Sequence, residues 1–167
     1  RVARYARLIA EEMGMSKEDR DTVSFGAALH DIGKLGVYEN ILNKPGELTE
    51  IEWEVVRSHP EVGANIIKNM KFLESACDLV RHHHERLDGK GYPSGLSGRD
   101  IPFPARSVAV ADTFNAITSR RSYRENSDVR TAVDAINAGA GTQFDSRIVS
   151  ALIRVLERGD LLEGSGA

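Results

Sequence analysis

The amino-acid sequence predicts an all-α fold. Apolar residues recur at helical spacing in one segment after another, beginning with Val2, Tyr5, Ala6, Ile9 and Met13. The sequence shows no internal repeat and no alternation of apolar and polar residues of the kind typical of half-buried strands. A length of 167 residues with 41% hydrophobic content is enough for one domain with its own core. We therefore expect a single helical domain.

Local start and stop signals divide the chain into about seven helices. Ser16 and Thr49 each stand three positions before an acidic residue, a spacing typical of a helix N-terminus. Ser127 and Asp145 are the expected N-caps of two closing helices. The first helix begins at once, without a capping residue before it, and is expected to stop at Gly14. We therefore expect the sequence to be a piece of a longer protein.

Residues 87–104 contain four glycines and three prolines. This density excludes regular structure over a stretch longer than the roughly 12 to 15 residues usual for a loop. The flanks of the stretch are strongly patterned and Tyr92 lies inside it, so we expect an ordered loop beside a functional site rather than a linker.

Composition excludes several classes of function. A net charge of −3 provides no broad basic field, so long nucleic acids are not expected as partners. The one cysteine, Cys77, cannot form an internal disulfide, which suits a reducing compartment. No apolar run approaches the roughly 18 residues that a membrane crossing requires. We expect a cytoplasmic domain, although an upstream region of a longer protein could tether it to a membrane.

Histidines and aspartates supply the strongest chemical signal. Imidazoles and carboxylates together suit iron or manganese, and the lack of cysteine ligands argues against a structural zinc site. Six such groups would overfill one tetrahedral site, so the pattern favours two metals about 3.5 to 4 Å apart and bridged by a carboxylate, for which Asp31 is the natural choice. The six candidates are His30, Asp31, His59, His83, His84 and Asp112.

Such a metal pair is suited to phosphoester hydrolysis, because it activates water and stabilises the charge that develops at phosphorus. Lys34 follows Asp31 by three positions and would share its face on a continuing helix, within reach of a phosphate, although Gly33 leaves that geometry open. Taken singly, each histidine is more often a core or surface residue than a metal ligand. The run that begins at His82 could be only a solvated helix end, and Lys34 only a surface charge. Only the combination favours a site.

Six motifs follow one another along the chain. They are LHDIGK at residues 29–34, NKPGELT at 43–49, HPEVG at 59–63, HHE at 83–85 with DGKGYP at 88–93, VAD at 110–112 and GTQFD at 141–145. In this order they resemble the HD-GYP domain, a bacterial subgroup of the HD metal-dependent phosphohydrolases that hydrolyses cyclic di-GMP. The resemblance covers nearly the whole chain, and it implies an HD-domain helical bundle as a catalytic domain over residues 1–160, with a frayed tail at 161–167.

The resemblance also implies roles for individual residues. The six candidates take metal-ligand positions, with Asp31 as the bridge between two divalent ions, iron or manganese. Lys34 takes the position that assists at the scissile phosphate. Arg121 and Arg124 match positions that contact substrate phosphates, which suits their forked donors. Tyr92 belongs to the motif that names the family, whose role is either to touch substrate or to shape the loop.

The sequence departs from the family pattern at three points. A further histidine ligand would fall just before Arg1, outside this chain, and a third metal also depends on a residue upstream, so the number of ions stays open. Asn115 stands where aspartate is common, which alters the charge beside the site. Ser122 stands where proline is common, which alters the local shape of the chain.

The function that the resemblance implies is hydrolysis of cyclic di-GMP to pGpG and onward to GMP, under the control of an upstream sensory or receiver domain. One alternative is a signalling adaptor that binds cyclic di-GMP or a diguanylate cyclase (GGDEF) domain without turnover. Another is an HD enzyme for a different cyclic dinucleotide, such as cyclic GMP-AMP. A homodimer is compatible with each of these functions.

Overall fold

The structure, a computed structural model, describes residues 1–119 and 125–160, without the side chains of residues 125–128. Arg121, Ser122, Arg124 and the tail at residues 161–167 lie outside the described residues. Over the two described ranges the chain forms nine α-helices and no strand, with one isolated bridge between Ala140 and Phe144, so the all-α prediction is confirmed.

The helices are α1 Val2–Glu12, α2 Lys17–Leu29, α3 Glu39–Leu42, α4 Glu50–Arg57, α5 His59–Ile67, α6 Cys77–His82, α7 Phe103–Ser119, α8 Glu125–Ala138 and α9 Ser146–Glu157. Three 3-10 helices lie between them, at Ile32–Gly36, Lys71–Ala76 and Gly98–Asp100. The number of α-helices in the described part exceeds the expected seven or so partly because α3 has only four residues, too few to give a periodic pattern.

Most of the helix signals in the sequence act as expected. Thr49 and Glu52 form a reciprocal capping box at the start of α4, and the side chain of Asp145 accepts the amide hydrogen of Arg147 at the start of α9. Ser127 is an exception, because α8 already begins at Glu125 and Ser127 therefore lies inside the helix. A helix can begin before its best capping residue when tertiary packing outweighs local signals, and α8 as a whole packs against α7 and α9.

The core lies around α1, which packs against α2, α7 and α9. Five helices, α1, α2, α6, α7 and α9, each contribute a completely buried side chain to it: Ile9, Val23, Leu79, Val108 and Leu152. Each contributes about 1.5 to 3 kcal/mol relative to an exposed side chain. This packing fixes the ends of α2 and α6 and the middle of α7 relative to one another.

Gly33 lies where the chain leaves α2 and crosses α5. The α-helix ends at Leu29, and residues Ile32–Gly36 continue as a 3-10 helix packed against α5. A Cβ atom at Gly33 would lie 1.9 Å from the carbonyl oxygen of His59, closer than any side chain allows. Only glycine therefore permits the approach that brings residue 31 next to residue 59.

The glycine-rich stretch is irregular apart from the 3-10 turn at Gly98–Asp100 and its last two residues, which already belong to α7, where a proline in the first turn is tolerated. Hydrogen bonds hold the irregular part in place. The amides of Leu87 and Asp88 donate to the carbonyl oxygens of Gln143 and Thr142, over 3.3 and 2.9 Å. The expectation of an ordered loop is thus met. No helix in the described ranges combines the length and apolar character needed to cross a bilayer.

Candidate metal centre

Four of the predicted ligands converge at one end of the bundle. One ligand atom from each of Asp31, His59, His83 and His84 lies within 4.8 Å of the others. Asp31 precedes the 3-10 helix, His59 opens α5, and the two adjacent histidines follow α6. Residues more than 50 positions apart in the sequence are therefore brought together by the ends of three elements.

Three imidazoles are oriented by the backbone. Each holds a hydrogen bond from Nδ1 to the carbonyl oxygen three residues earlier, over 2.6 to 2.7 Å: His30, His59 and His83. A carbonyl oxygen only accepts, so Nδ1 carries the hydrogen and the Nε2 lone pair is free. All three Nε2 atoms are buried without a hydrogen-bond partner among the described residues. Buried nitrogen atoms with free lone pairs and no partner fit ligands of a metal ion, and the Nδ1 bonds are the usual support for a ligating histidine.

The carboxylate of Asp31 lies between two groups of side chains. Its Oδ1 is 3.3 Å from Nε2 of His59. Its Oδ2 is 3.5 Å from Nε2 of His30 and 2.7 Å from the ammonium of Lys34. The two oxygens thus face different histidines, an arrangement that suits a carboxylate shared by two ions.

Asp112 belongs to the group of side chains that contains His30. It lies on α7, and its Oδ1 is 3.5 Å from Nε2 of His30. The six predicted residues therefore form two sets that overlap at Asp31, one with His30 and Asp112 and the other with His59, His83 and His84.

Burial sets the protonation of the histidines that follow α6. It lowers the pKa of His83 well below the ordinary value, and it lowers the pKa of His84 to about 3. Both imidazoles are therefore neutral near pH 7, which is the form that binds a metal.

The residues of the His30-Asp31 pair influence each other's charge. Burial would lower the pKa of His30, but the carboxylates of Asp112 and Asp31 outweigh it and raise the pKa. Burial would raise the pKa of Asp31, but His59, His30 and the Lys34 ammonium hold it well below its usual range. Asp31 is thus an anion at all physiological pH values, as a bridging ligand must be.

A cavity of about 550 Å³ opens beside these ligands. His83, His84 and Asp112 line it, together with Tyr92 from the glycine-rich loop. The Tyr92 ring stacks on His84, with ring centres 4.8 Å apart and planes 25° apart. Burial raises the pKa of Tyr92 to about 12, so its hydroxyl remains a hydrogen-bond donor. The loop therefore does lie at the candidate site.

Some sequence-predicted features lie elsewhere or are not described. Arg121 and Arg124, the expected phosphate contacts, lie outside the described residues. His82 is not part of the cluster, and its Nδ1 is 3.7 Å from Oε1 of Glu85. Asn115, the departure on α7, accepts a hydrogen bond from the Ser119 hydroxyl at 3.2 Å.

Three further residues at the cavity carry no role in the sequence-based prediction. Trp53 and Arg57 line the cavity from α4, and their four-residue spacing just before His59 was the available signal. Glu85 is 4% exposed, and its Oε1 accepts the amide hydrogen of Ser94 at 2.7 Å. Its other oxygen has no partner among the described residues. Glu85 thus holds the Tyr92 loop through its hydrogen bond to Ser94. The sequence signal for this role was the position of a charged residue directly after two histidines.

Comparison with known proteins places this geometry in a family. A family model described as HD domain matches residues 1–148. The cyclic di-GMP phosphodiesterase response regulator RpfG of Xanthomonas campestris is 41% identical over 156 residues, covering 92% of this chain and 41% of the relative. A cyclic di-GMP phosphodiesterase of Thermotoga maritima is 41% identical over 149 residues, covering 88% and 40%. The chain thus spans about two fifths of the length of these relatives.

A related protein has a different cyclic dinucleotide in its name. The 3'3'-cGAMP-specific phosphodiesterase 2 of Vibrio cholerae is 34% identical over 155 residues, covering 92% of this chain and 30% of the relative.

Two solved structures share the fold. The cyclic GMP-AMP-specific phosphodiesterase V-cGAP3 of V. cholerae superposes with a TM-score of 0.77 at 18% identity, covering 100% of this chain and 45% of that one. An HDG"Y"P protein from Bdellovibrio bacteriovorus superposes with a TM-score of 0.74 at 19% identity, covering 93% and 50%. At these identities the likeness concerns the fold alone.

Proposed function

The chain belongs to the HD-domain family, and we propose that it hydrolyses cyclic di-GMP to pGpG with the help of divalent metal ions. The two relatives at 41% identity confirm the resemblance to HD-GYP phosphodiesterases. One observation carries the proposal: the ligand atoms of Asp31, His59, His83 and His84 converge beside a cavity, and the buried Nε2 of His30 lies 3.5 Å from the other oxygen of Asp31.

The proposed metal ligands are the two overlapping sets of residues. His30 and Asp112 would hold one ion and the three histidines of the other set a second, with Asp31 between them, and a third ion remains open. Nitrogen and oxygen donors without thiolate favour iron or manganese. Bound ions supply the charge that polarises a phosphoryl oxygen and lowers the pKa of water.

Lys34 is the proposed catalytic partner of Asp31. Its ammonium lies 2.7 Å from Asp31 Oδ2, so a phosphate bound at the centre would lie within reach of it. Water attacks phosphorus, the bond from phosphorus to the 3′ oxygen breaks, and the 3′ hydroxyl leaves with a proton to give the linear product. Lys34 would offset the negative charge that grows on the phosphoryl oxygens during this step. Tyr92 would form one wall for the substrate, and Arg121 and Arg124 remain predicted phosphate contacts.

A second candidate substrate is cyclic GMP-AMP, because relatives at 34% and 37% identity have it in their names. A non-hydrolytic adaptor for the dinucleotide or a GGDEF domain is the alternative of a different class. We further propose that residues 1–160 act as the catalytic domain of a longer cytoplasmic protein, with an upstream regulatory domain, and a homodimer remains an option for it.

The test is product formation by the protein expressed with its native upstream residues and loaded with Mn²⁺ or Fe²⁺. We expect pGpG to accumulate from cyclic di-GMP, and His30→Ala to lower the rate by at least about 100-fold, since it removes a ligand rather than a residue supporting one. His82→Ala, a neighbouring histidine outside the cluster, is the matched control and should retain activity.

Binding of cyclic di-GMP without any pGpG would favour the adaptor. Equal rates for His30→Ala and the unmodified protein would exclude the metal-site assignment. Faster cleavage of cyclic GMP-AMP than of cyclic di-GMP would favour the second substrate.

A further inference from the structure

Two aromatic rings and one guanidinium lie next to one another along the cavity, beside the candidate ligands. Trp53 and Arg57 are four residues apart and so share one face of α4. The Arg57 guanidinium lies 5.6 Å from the centre of the Trp53 ring and 6.0 Å from that of Tyr92. Tyr92 in turn stacks on His84. We call Trp53, Arg57 and Tyr92 the stacking wall.

The guanidinium of Arg57 has hydrogen-bond donors without a partner among the described residues. It is exposed, and within the part of the chain that the structure describes no carboxylate lies at ion-pair distance from it. Two nearby lysines, by contrast, are paired, Lys44 with Glu52 and Lys34 with Asp31. A guanidinium whose position is set by two aromatic rings, and whose N–H groups have no partner among residues 1–119 and 125–160, is preorganised for a planar ligand with acceptors on one edge.

The chemistry of the stacking wall distinguishes the parts of a cyclic dinucleotide. Every base has a face that stacks on aromatic rings such as those of Trp53 and Tyr92. Guanine presents two acceptors, O6 and N7, on one edge and matches a guanidinium with two hydrogen bonds. Adenine presents N7 beside an amino donor, which faces the Arg57 donors without forming a second bond. The wall therefore favours guanine over adenine.

We propose that Trp53, Arg57 and Tyr92 form a guanine-binding subsite of the cavity and select for guanine-containing cyclic dinucleotides. The proposal rests on the proposed function, because the substrate class comes from there. Arg57 and Trp53 act on the base, whereas the ligand cluster and Lys34 act on the phosphate, so the two roles are separable by experiment.

Trp53 is the single tryptophan of the chain, so its fluorescence reports directly on this subsite. The experiment titrates cyclic di-GMP and cyclic di-AMP into the protein in the presence of a chelator, which prevents turnover. We expect both ligands to quench Trp53 emission, with the guanine ligand binding between roughly 5-fold and 100-fold more tightly.

Two variants separate base recognition from simple charge attraction. Arg57→Lys keeps the charge but loses the planar fork, and it is expected to abolish most of the preference for the guanine ligand. Arg7→Lys, a like change of an exposed arginine on α1 away from the cavity, should leave the preference unchanged. Circular dichroism of both variants checks that the fold is intact.

Equal affinities for the two ligands, no quenching, or an unchanged preference in Arg57→Lys would each overturn the subsite. These outcomes are distinct from failure of the proposed function. If the ligands quench Trp53 with a guanine preference but no pGpG forms, the subsite is supported and the phosphodiesterase activity is excluded. If pGpG forms without any preference for guanine in binding, the activity is supported and the subsite is excluded.

Discussion

At the scale of single residues, the candidate site depends on which nitrogen of each imidazole carries hydrogen. The carbonyl oxygens of Ala27, Val56 and Val80 each accept from the Nδ1 of a histidine three positions later. This local bond fixes both the ring orientation and the tautomer before any ion binds. Burial then keeps His83 and His84 neutral by lowering their pKa values. The protein alone thus sets His83 and His84 in their metal-binding form.

The lowered pKa of His84 predicts how the metal-free protein responds to acid. Its folded pKa is about 3 against an ordinary value of 6.5, so between these values the unfolded chain binds a proton that the folded protein does not. The free energy of unfolding should therefore fall as the pH is lowered from 6.5 towards 3. His30 opposes this trend, because its pKa is raised in the folded protein.

Urea unfolding of chelator-treated protein at about pH 7 and pH 5 measures the effect. His84→Gln should lose less stability on acidification than the unmodified protein, because it lacks the buried imidazole. His82→Gln, the neighbouring histidine outside the cluster, is the control. The same pH response in His84→Gln and the unmodified protein would contradict the assignment.

At the scale of helices and loops, the site depends on close crossings of short elements. The 3-10 helix Ile32–Gly36 approaches α5 at Gly33, and the Tyr92 loop approaches the backbone of Glu85 and Arg86 at Gly91. A Cβ atom at Gly91 would lie 2.5 Å from the Arg86 nitrogen. At both positions, therefore, the neighbouring backbone leaves no space for a side chain, and only glycine fits.

Gly33→Ala should destabilise the protein by about 1 to 3 kcal/mol or more, because its Cβ would overlap the His59 carbonyl and force the 3-10 helix away from α5. Gly36→Ala in the same 3-10 helix is the matched control, since its Cβ would meet only the Val62 side chain, at 3.4 Å. Its effect should remain within about 0.5 kcal/mol. Urea unfolding measures the free energy of unfolding of both variants. Equal losses in the two would count against the close contact between the 3-10 helix and α5 at Gly33.

The sequence predicts the local features well. The capping box at Thr49 and the proline in the first turn of α5 depend on residues close together in the chain. The 3-10 turn after Asp31 was not predicted, because its cause is a contact with His59 far along the sequence. The partners of Trp53 and Arg57 were missed for the same reason, since the Tyr92 loop must first fold back onto α4.

At the scale of the whole molecule, the helical frame brings residues distant in the sequence to one end. The buried faces of α1, α2, α6 and α7 set the frame. His30 and His83 directly follow α2 and α6, and Asp112 lies on α7. The motifs identified all six candidates, because ligand residue types in a fixed order are visible in the sequence. Their division into two sets that share Asp31 required the folded structure.

The metal content of the purified protein tests the central claim most directly. The protein is expressed within the longer chain proposed above, loaded with Mn²⁺ and freed of excess ion by gel filtration. Its metal content is measured by elemental analysis beside that of Asp31→Asn and, as a matched control, Asp78→Asn from the exposed side of α6. The unmodified protein and Asp78→Asn should retain at least about one ion per chain, and Asp31→Asn should retain almost none, because Asp31 belongs to both ligand sets. Full metal content in Asp31→Asn, or none in the unmodified protein, would contradict the account.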